Sequence, residues 1–71
     1  MTGPGKALAT LRARTGLSVR QAARRAQVGR KYLRKVERGQ AVASPAWLGH
    51  VATHLSAALV ERATGSAGRT S

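Results

Sequence analysis

The sequence predicts an all-α fold of four to five short helices, and three observations carry that expectation. Apolar residues recur three and four positions apart, as in Leu8/Leu11, Leu33/Val36 and Leu48/Val51/Ala52/Leu55/Leu59, which is the spacing of one helix face. Glycine, serine and proline cut the chain where helices start and stop. No run alternates apolar and polar residues as a half-buried strand would.

Met1 to Gly5 holds two glycines and a proline and reads as a flexible N-terminal arm, residues 1–5. A first helix follows from Lys6 to Thr15 and ends at Gly16, a residue suited to the left-handed C-cap. Ser18 is an N-cap for a second helix, Val19 to Ala26. On that helix Val19, Ala22, Ala23 and Ala26 share a narrow arc, and Arg20, Gln21, Arg24 and Arg25 fill the other side. Gln27, Val28 and Gly29 form a turn. The third helix runs from about Arg30 to Arg38 and is closed by Gly39, with a loop over Gln40 to Ala43. Ser44-Pro45 is a helix start, an N-cap followed by proline in the first turn. This fourth helix ends near Leu55, leaving a fifth segment, or runs on to about Ala63. Residues 64–71, TGSAGRTS, have the composition of a disordered tail. The domain is therefore expected over residues 6–63.

At 71 residues the chain has room for one small domain with a thin core. It has no cysteine, which fits a reducing compartment. It contains no apolar run long enough for a membrane span and no signal-peptide layout at its start. A cytoplasmic, nucleoid-associated location is the expectation. Thirteen Lys and Arg stand against two acids, a net charge of +11. Such a chain is drawn to polyanions, nucleic acid first and an anionic membrane surface second.

The charge is concentrated in VGRKYLRKVERG, residues 28–39. At about 100° per residue, Leu33 and Val36 point one way while Arg30, Lys31, Arg34, Lys35 and Arg38 spread over the other half. Like charges at i,i+4 destabilise an isolated helix by a few tenths of a kcal/mol per pair. A helix carrying three such pairs is built to meet an anion. Ala23, where two crossing helices would touch, then Val28 in the turn, then Leu33 and Val36 follow the helix-turn-helix layout.

Those positions resemble the lambda-repressor-like, Cro-type (XRE) helix-turn-helix domain of phage and bacterial regulators. The likeness rests on Leu11-Arg12, Gly16-Leu17-Ser18, Ala22-Ala23, Val28, Leu33, Val36-Glu37-Arg38-Gly39, Leu48 and Leu55, without a gap. It implies that the third helix enters the major groove of double-stranded DNA, with Arg30, Lys31, Arg34 and Lys35 as base and phosphate readers. Arg38, the loop after Gly39 and the start of the second helix, Ser18, Val19 and Arg20, would lie beside the backbone. It implies a structural ion pair between Arg12 and Glu37. The sequence departs from the family pattern at Val19, Gln27, Gly29 and Val42. Gln27 stands where glycine usually takes the left-handed conformation.

Other constellations carry less. His50 and His54 are spaced i,i+4, with Glu61 on the same side, but no cysteine or third histidine completes a metal set, so no metal is expected. Glu37 and Glu61 are the only carboxylates, and no serine or threonine has a base beside it. The chain is expected not to be an enzyme and to need no cofactor. Tyr32 is expected to be partly buried with its hydroxyl exposed. Trp47 falls at the core edge, in a dimer contact, or against the DNA backbone. Leu59 and Val60, beyond the four-helix core, are with Trp47 the candidates for a homodimer interface on a paired half-site. The leading reading is a sequence-specific, Cro-like regulator or repressor. Its rivals are a nonspecific architectural DNA binder, including an excision-type accessory factor, and an antitoxin-like protein-interaction module.

Overall fold

The computed structural model describes residues 3–69, with side chains through residue 65. Among these the chain forms four helices and no strand: α1 (Pro4–Thr15), α2 (Val19–Ala26), α3 (Arg30–Glu37) and α4 (Pro45–Arg69). α4 packs against both α1 and α2, and α3 closes the remaining side against α1 and α2. The core is Leu8, Ala22, Ala23, Ala26, Leu33, Val36, Ala43, Val51 and Leu55. All three core residues of α2 are alanines, which lets α2 approach its neighbours closely. Leu33, Leu55 and Val51 fill the centre and are fully buried.

Local chemistry sets most boundaries. Gly16 ends α1 at φ 77° and its amide bonds the Ala13 carbonyl. Ser18 caps α2 through a reciprocal pair: its hydroxyl accepts from the Gln21 amide at 3.1 Å, and Gln21 Oε1 accepts from the Ser18 amide at 2.9 Å. This is the Ser-x-x-Gln capping box. Ser44 Oγ accepts from the Trp47 amide at 3.1 Å and starts α4.

Two boundaries differ from the sequence expectation. α1 starts at Pro4 rather than Lys6, so Pro4 and Gly5 belong to the domain and not to an arm. Proline at N1 loses no hydrogen bond, and Gly5 is buried where α1 crosses the end of α3. A Cβ on Gly5 would overlap the Val36 carbonyl. Met1 and Thr2 lie outside the described residues.

α4 is one unbroken helix of 25 residues, so there is no fifth helix among the described residues. Ala58 is buried, which carries the packed side of α4 past Leu55. The helix continues over residues 64–69, which composition assigns to a disordered tail. No proline interrupts its i→i+4 ladder, and Thr64 and Gly65 extend it while exposed. Residues 70 and 71 lie outside the described residues.

Two glycine substitutions should move stability in opposite directions. Gly5→Val should cost about 1–3 kcal/mol by overpacking α1 against α3. Gly49 is exposed within α4, and no atom lies within 4 Å of where a Cβ would stand. Gly49→Ala should therefore add about 0.5–1 kcal/mol of helix stability. Urea unfolding checks both, and a Gly5→Val chain as stable as the parent contradicts the crossing described.

Candidate nucleic-acid interface

α3 has two sides with opposite duties. Leu33 and Val36 are buried and fix the helix on the core. Arg30, Lys31, Arg34, Lys35 and Arg38 are all exposed. The helix is held at both ends by backbone geometry. Before it, Gln27 takes the left-handed conformation at φ 58°, ψ 45°. The Gln27 amide bonds the Arg24 carbonyl at 3.2 Å and the Val28 amide bonds the Ala23 carbonyl at 3.0 Å. This is a Schellman stop, and it swings the chain from α2 into α3. After α3, Gly39 at φ 76° repeats the device. Its amide bonds the Val36 carbonyl at 3.1 Å, and the Gln40 amide bonds the Lys35 carbonyl at 2.8 Å.

Arg12 ties this helix to the rest of the domain. Its Nε donates to Glu37 Oε2 at 2.8 Å and its Nη2 donates to Glu37 Oε1 at 3.0 Å, a two-bond fork. Its Nη1 donates to the Leu17 carbonyl at 2.8 Å. The Glu37 side chain is 7% exposed and that of Arg12 21%. One guanidinium thus joins α1, the α1–α2 connection and the end of α3. Thr15 completes the corner: its hydroxyl donates to the Arg12 carbonyl at 2.5 Å and accepts from the Leu17 amide at 3.1 Å.

α2 presents its first turn beside this face. Ser18 and Arg20 are exposed, and with Gln21 and Arg24 they line a shallow open hollow. The Val19 side chain is half-buried and packs on the core. Its contribution to an anion is its main chain, since the amides of Val19 and Arg20 have no intrahelical acceptor. Both capping-box side chains are engaged with each other, so Gln21 is already committed. The Ser-x-x-Gln spacing is a legible signal for that role.

α4 braces the turn from behind. The Ala26 carbonyl at the end of α2 lies 2.7 Å from His50 Nε2. A carbonyl only accepts, so Nε2 carries the proton in this contact. His54 lies edge-on to His50 with ring centres 4.7 Å apart. Further along, Glu61 pairs with Arg25 of α2, and Arg62 Nη1 donates to the Arg14 carbonyl at 3.3 Å. No group of three or more His, Cys, Asp or Glu with metal-binding geometry occurs among the described residues. His50, Arg25, Glu61 and Arg62 meet their partners across separations of 24 to 48 residues, and no local pattern marks such contacts.

Both acids of the chain are therefore bonded to arginines, and the eleven-charge excess is left to the other cations. The residues expected to form one dimer patch are not brought together. Trp47 is half-buried against the core and meets Tyr32 edge-on at 5.0 Å. Leu59 is half-buried, and Val60 is 64% exposed on another side of α4. Tyr32 itself is 40% exposed.

Comparison with known families finds a match to the model of a helix-turn-helix domain over residues 5–65. No curated protein and no solved structure matches the chain. No helix of the described residues is long and apolar enough to cross a membrane.

The two ion pairs should differ sharply in strength. Glu37→Ala strands Arg12 in a largely covered corner and should cost on the order of 2 kcal/mol, below the full penalty of a deeply buried pair. Glu61→Ala breaks a pair exposed to water and should cost about 0.2–1 kcal/mol. Parallel denaturation curves decide it, and equal losses would contradict the different burial of the two sites.

Proposed function

Because the chain belongs to the helix-turn-helix domain family, a DNA-binding fold, we propose that it is a sequence-specific transcriptional regulator of the small Cro-like repressor type. In this reading it acts as a homodimer on paired half-sites, in the cytoplasm at the nucleoid, and catalyses nothing. The observation that carries the reading is α3 with its C-cap Arg38: five exposed cations on one side of a helix whose other side is buried and whose only acid is bonded to Arg12. A helix of this width fits the major groove.

The first turn of α3 leads into the groove, so Arg30 and Lys31 are the base readers. Arginine and lysine both suit the acceptor pair of guanine, O6 and N7. Arg34 and Lys35 follow one turn later and reach bases or phosphates, and Arg38 lies beside the backbone. The open amides at the start of α2, with Ser18 and Arg20, receive a second phosphate. The phosphate contacts fix register and supply most of the salt-sensitive affinity, while the base contacts supply the sequence preference.

The excess of eleven positive charges favours one other reading, a nonspecific architectural DNA binder. Selection of bound duplexes from a random pool separates the two. A regulator enriches one motif, with two half-sites about 34 Å apart; an architectural binder enriches none.

On the selected site, Arg30→Ala and Lys31→Ala should each cost about 1–3 kcal/mol and relax preference at one base position. Titration of the same variants on random DNA should show a much smaller loss. Equal losses on both duplexes would reduce these residues to phosphate contacts.

A further inference from the structure

From Gly39 to Val60 the chain carries no Lys, Arg, Asp or Glu. This stretch forms the α3–α4 loop and most of α4, and α1 packs along one side of it. Between the two helices runs a groove of about 200 Å³ lined by Pro4, Ala7, Leu8, Leu11, Leu48 and Ala52. Every one of those side chains is apolar. A larger hollow of about 380 Å³ adjoins it, sharing Pro4 and Leu48, and Val42 stands on its wall. Val42 is 95% exposed, the most exposed large apolar side chain among the described residues.

An uncovered apolar knob and an unfilled apolar groove thus lie on the same face of one chain. That is the pattern a two-fold interface requires, because each copy must present both halves of the contact. Electrostatics selects the same face. Two copies, each at +11, repel wherever their cations meet. Lys6, Glu37 and Arg38 border the larger hollow, but no charged residue lines the groove. The cations of α2 and α3 lie outside the groove and stay available to DNA.

We propose that a second copy of this chain docks on this face, with Val42 of each copy seated in the α1–α4 groove of the other. The contact deepens the reading of a homodimer on paired half-sites and rests on it for its purpose. Its test contains no DNA, so the two fail separately.

Sedimentation equilibrium of the full chain, from about 0.05 to about 1 M salt, measures self-association directly. The parent should form dimers that tighten as salt screens the like charges. Val42→Lys and Ala7→Lys, both at exposed positions, should each weaken dimerisation about tenfold or more, while thermal unfolding at a dilution where all chains are monomeric stays as in the parent. Val60→Lys, at an exposed site away from the groove, should leave it unchanged. A parent that stays monomeric at high salt overturns the proposal and leaves the groove to a different partner. So does a Val42→Lys chain that associates like the parent, or dissociation produced only by Val60→Lys.

Discussion

The fork from Arg12 to Glu37, with its third bond to the Leu17 carbonyl, is the constraint on which the rest of the domain depends. α3 is eight residues long, too short to hold itself in water. Its cations repel one another along the exposed side, which weakens it further. Leu33 and Val36 fix how deeply it sits, but two apolar contacts leave rotation about their line open. The carboxylate at its last residue removes that freedom, because it accepts the two bonds of the guanidinium fork in one plane only. The same guanidinium fixes the α1–α2 connection through Leu17, so the start of α2 and the end of α3 share one reference point.

A second brace comes from α4. Small domains have little core from which to draw rigidity, and here three of the core side chains are single methyl groups on α2. The long α4 compensates by bonding main-chain groups at the ends of two other helices. His50 meets the Ala26 carbonyl and Arg62 the Arg14 carbonyl. The carbonyls at a helix C-terminus lack intrahelical donors, so each such bond satisfies an orphan acceptor as well as joining two elements. With both acids drawn into pairs, the exposed cations of α3 are left without an acidic partner. The charge breaks after Arg38: no Lys, Arg, Asp or Glu stands between Gly39 and Val60, and no charged side chain lines the groove between α1 and α4.

Much of this is legible in the sequence because the signals are local. Gly16, Ser18, Gln27 and Gly39 mark turns whose bonds span three to five residues, and each stands at the boundary it marks. The Arg12–Glu37 pair comes from resemblance to a family, not from spacing, since 25 residues separate the partners. What stays hidden is set by packing between distant elements. Gly5 reads as part of an arm because glycine and proline together suggest flexibility, yet it is a glycine so that α1 can touch Val36. The unbroken length of α4 cannot be read because Gly49 and Ser56 are residue types that can stop or cap a helix, yet α4 runs through both. Hydrophobicity groups Trp47 with Leu59 and Val60, whereas helix geometry turns it toward Tyr32. The α1–α4 groove needs coordinates, because its two walls are about 40 residues apart.

The most direct test of this account is a double-mutant cycle of Arg12→Ala and Glu37→Ala, read by denaturant unfolding and by affinity for the selected DNA site. If one guanidinium fork holds α3 in register, the two changes couple by about 1–3 kcal/mol in stability, and either single change weakens DNA binding nearly as much as both together. If the two losses simply add within about 0.5 kcal/mol, Arg12 and Glu37 act independently and the orientation of α3 has another source.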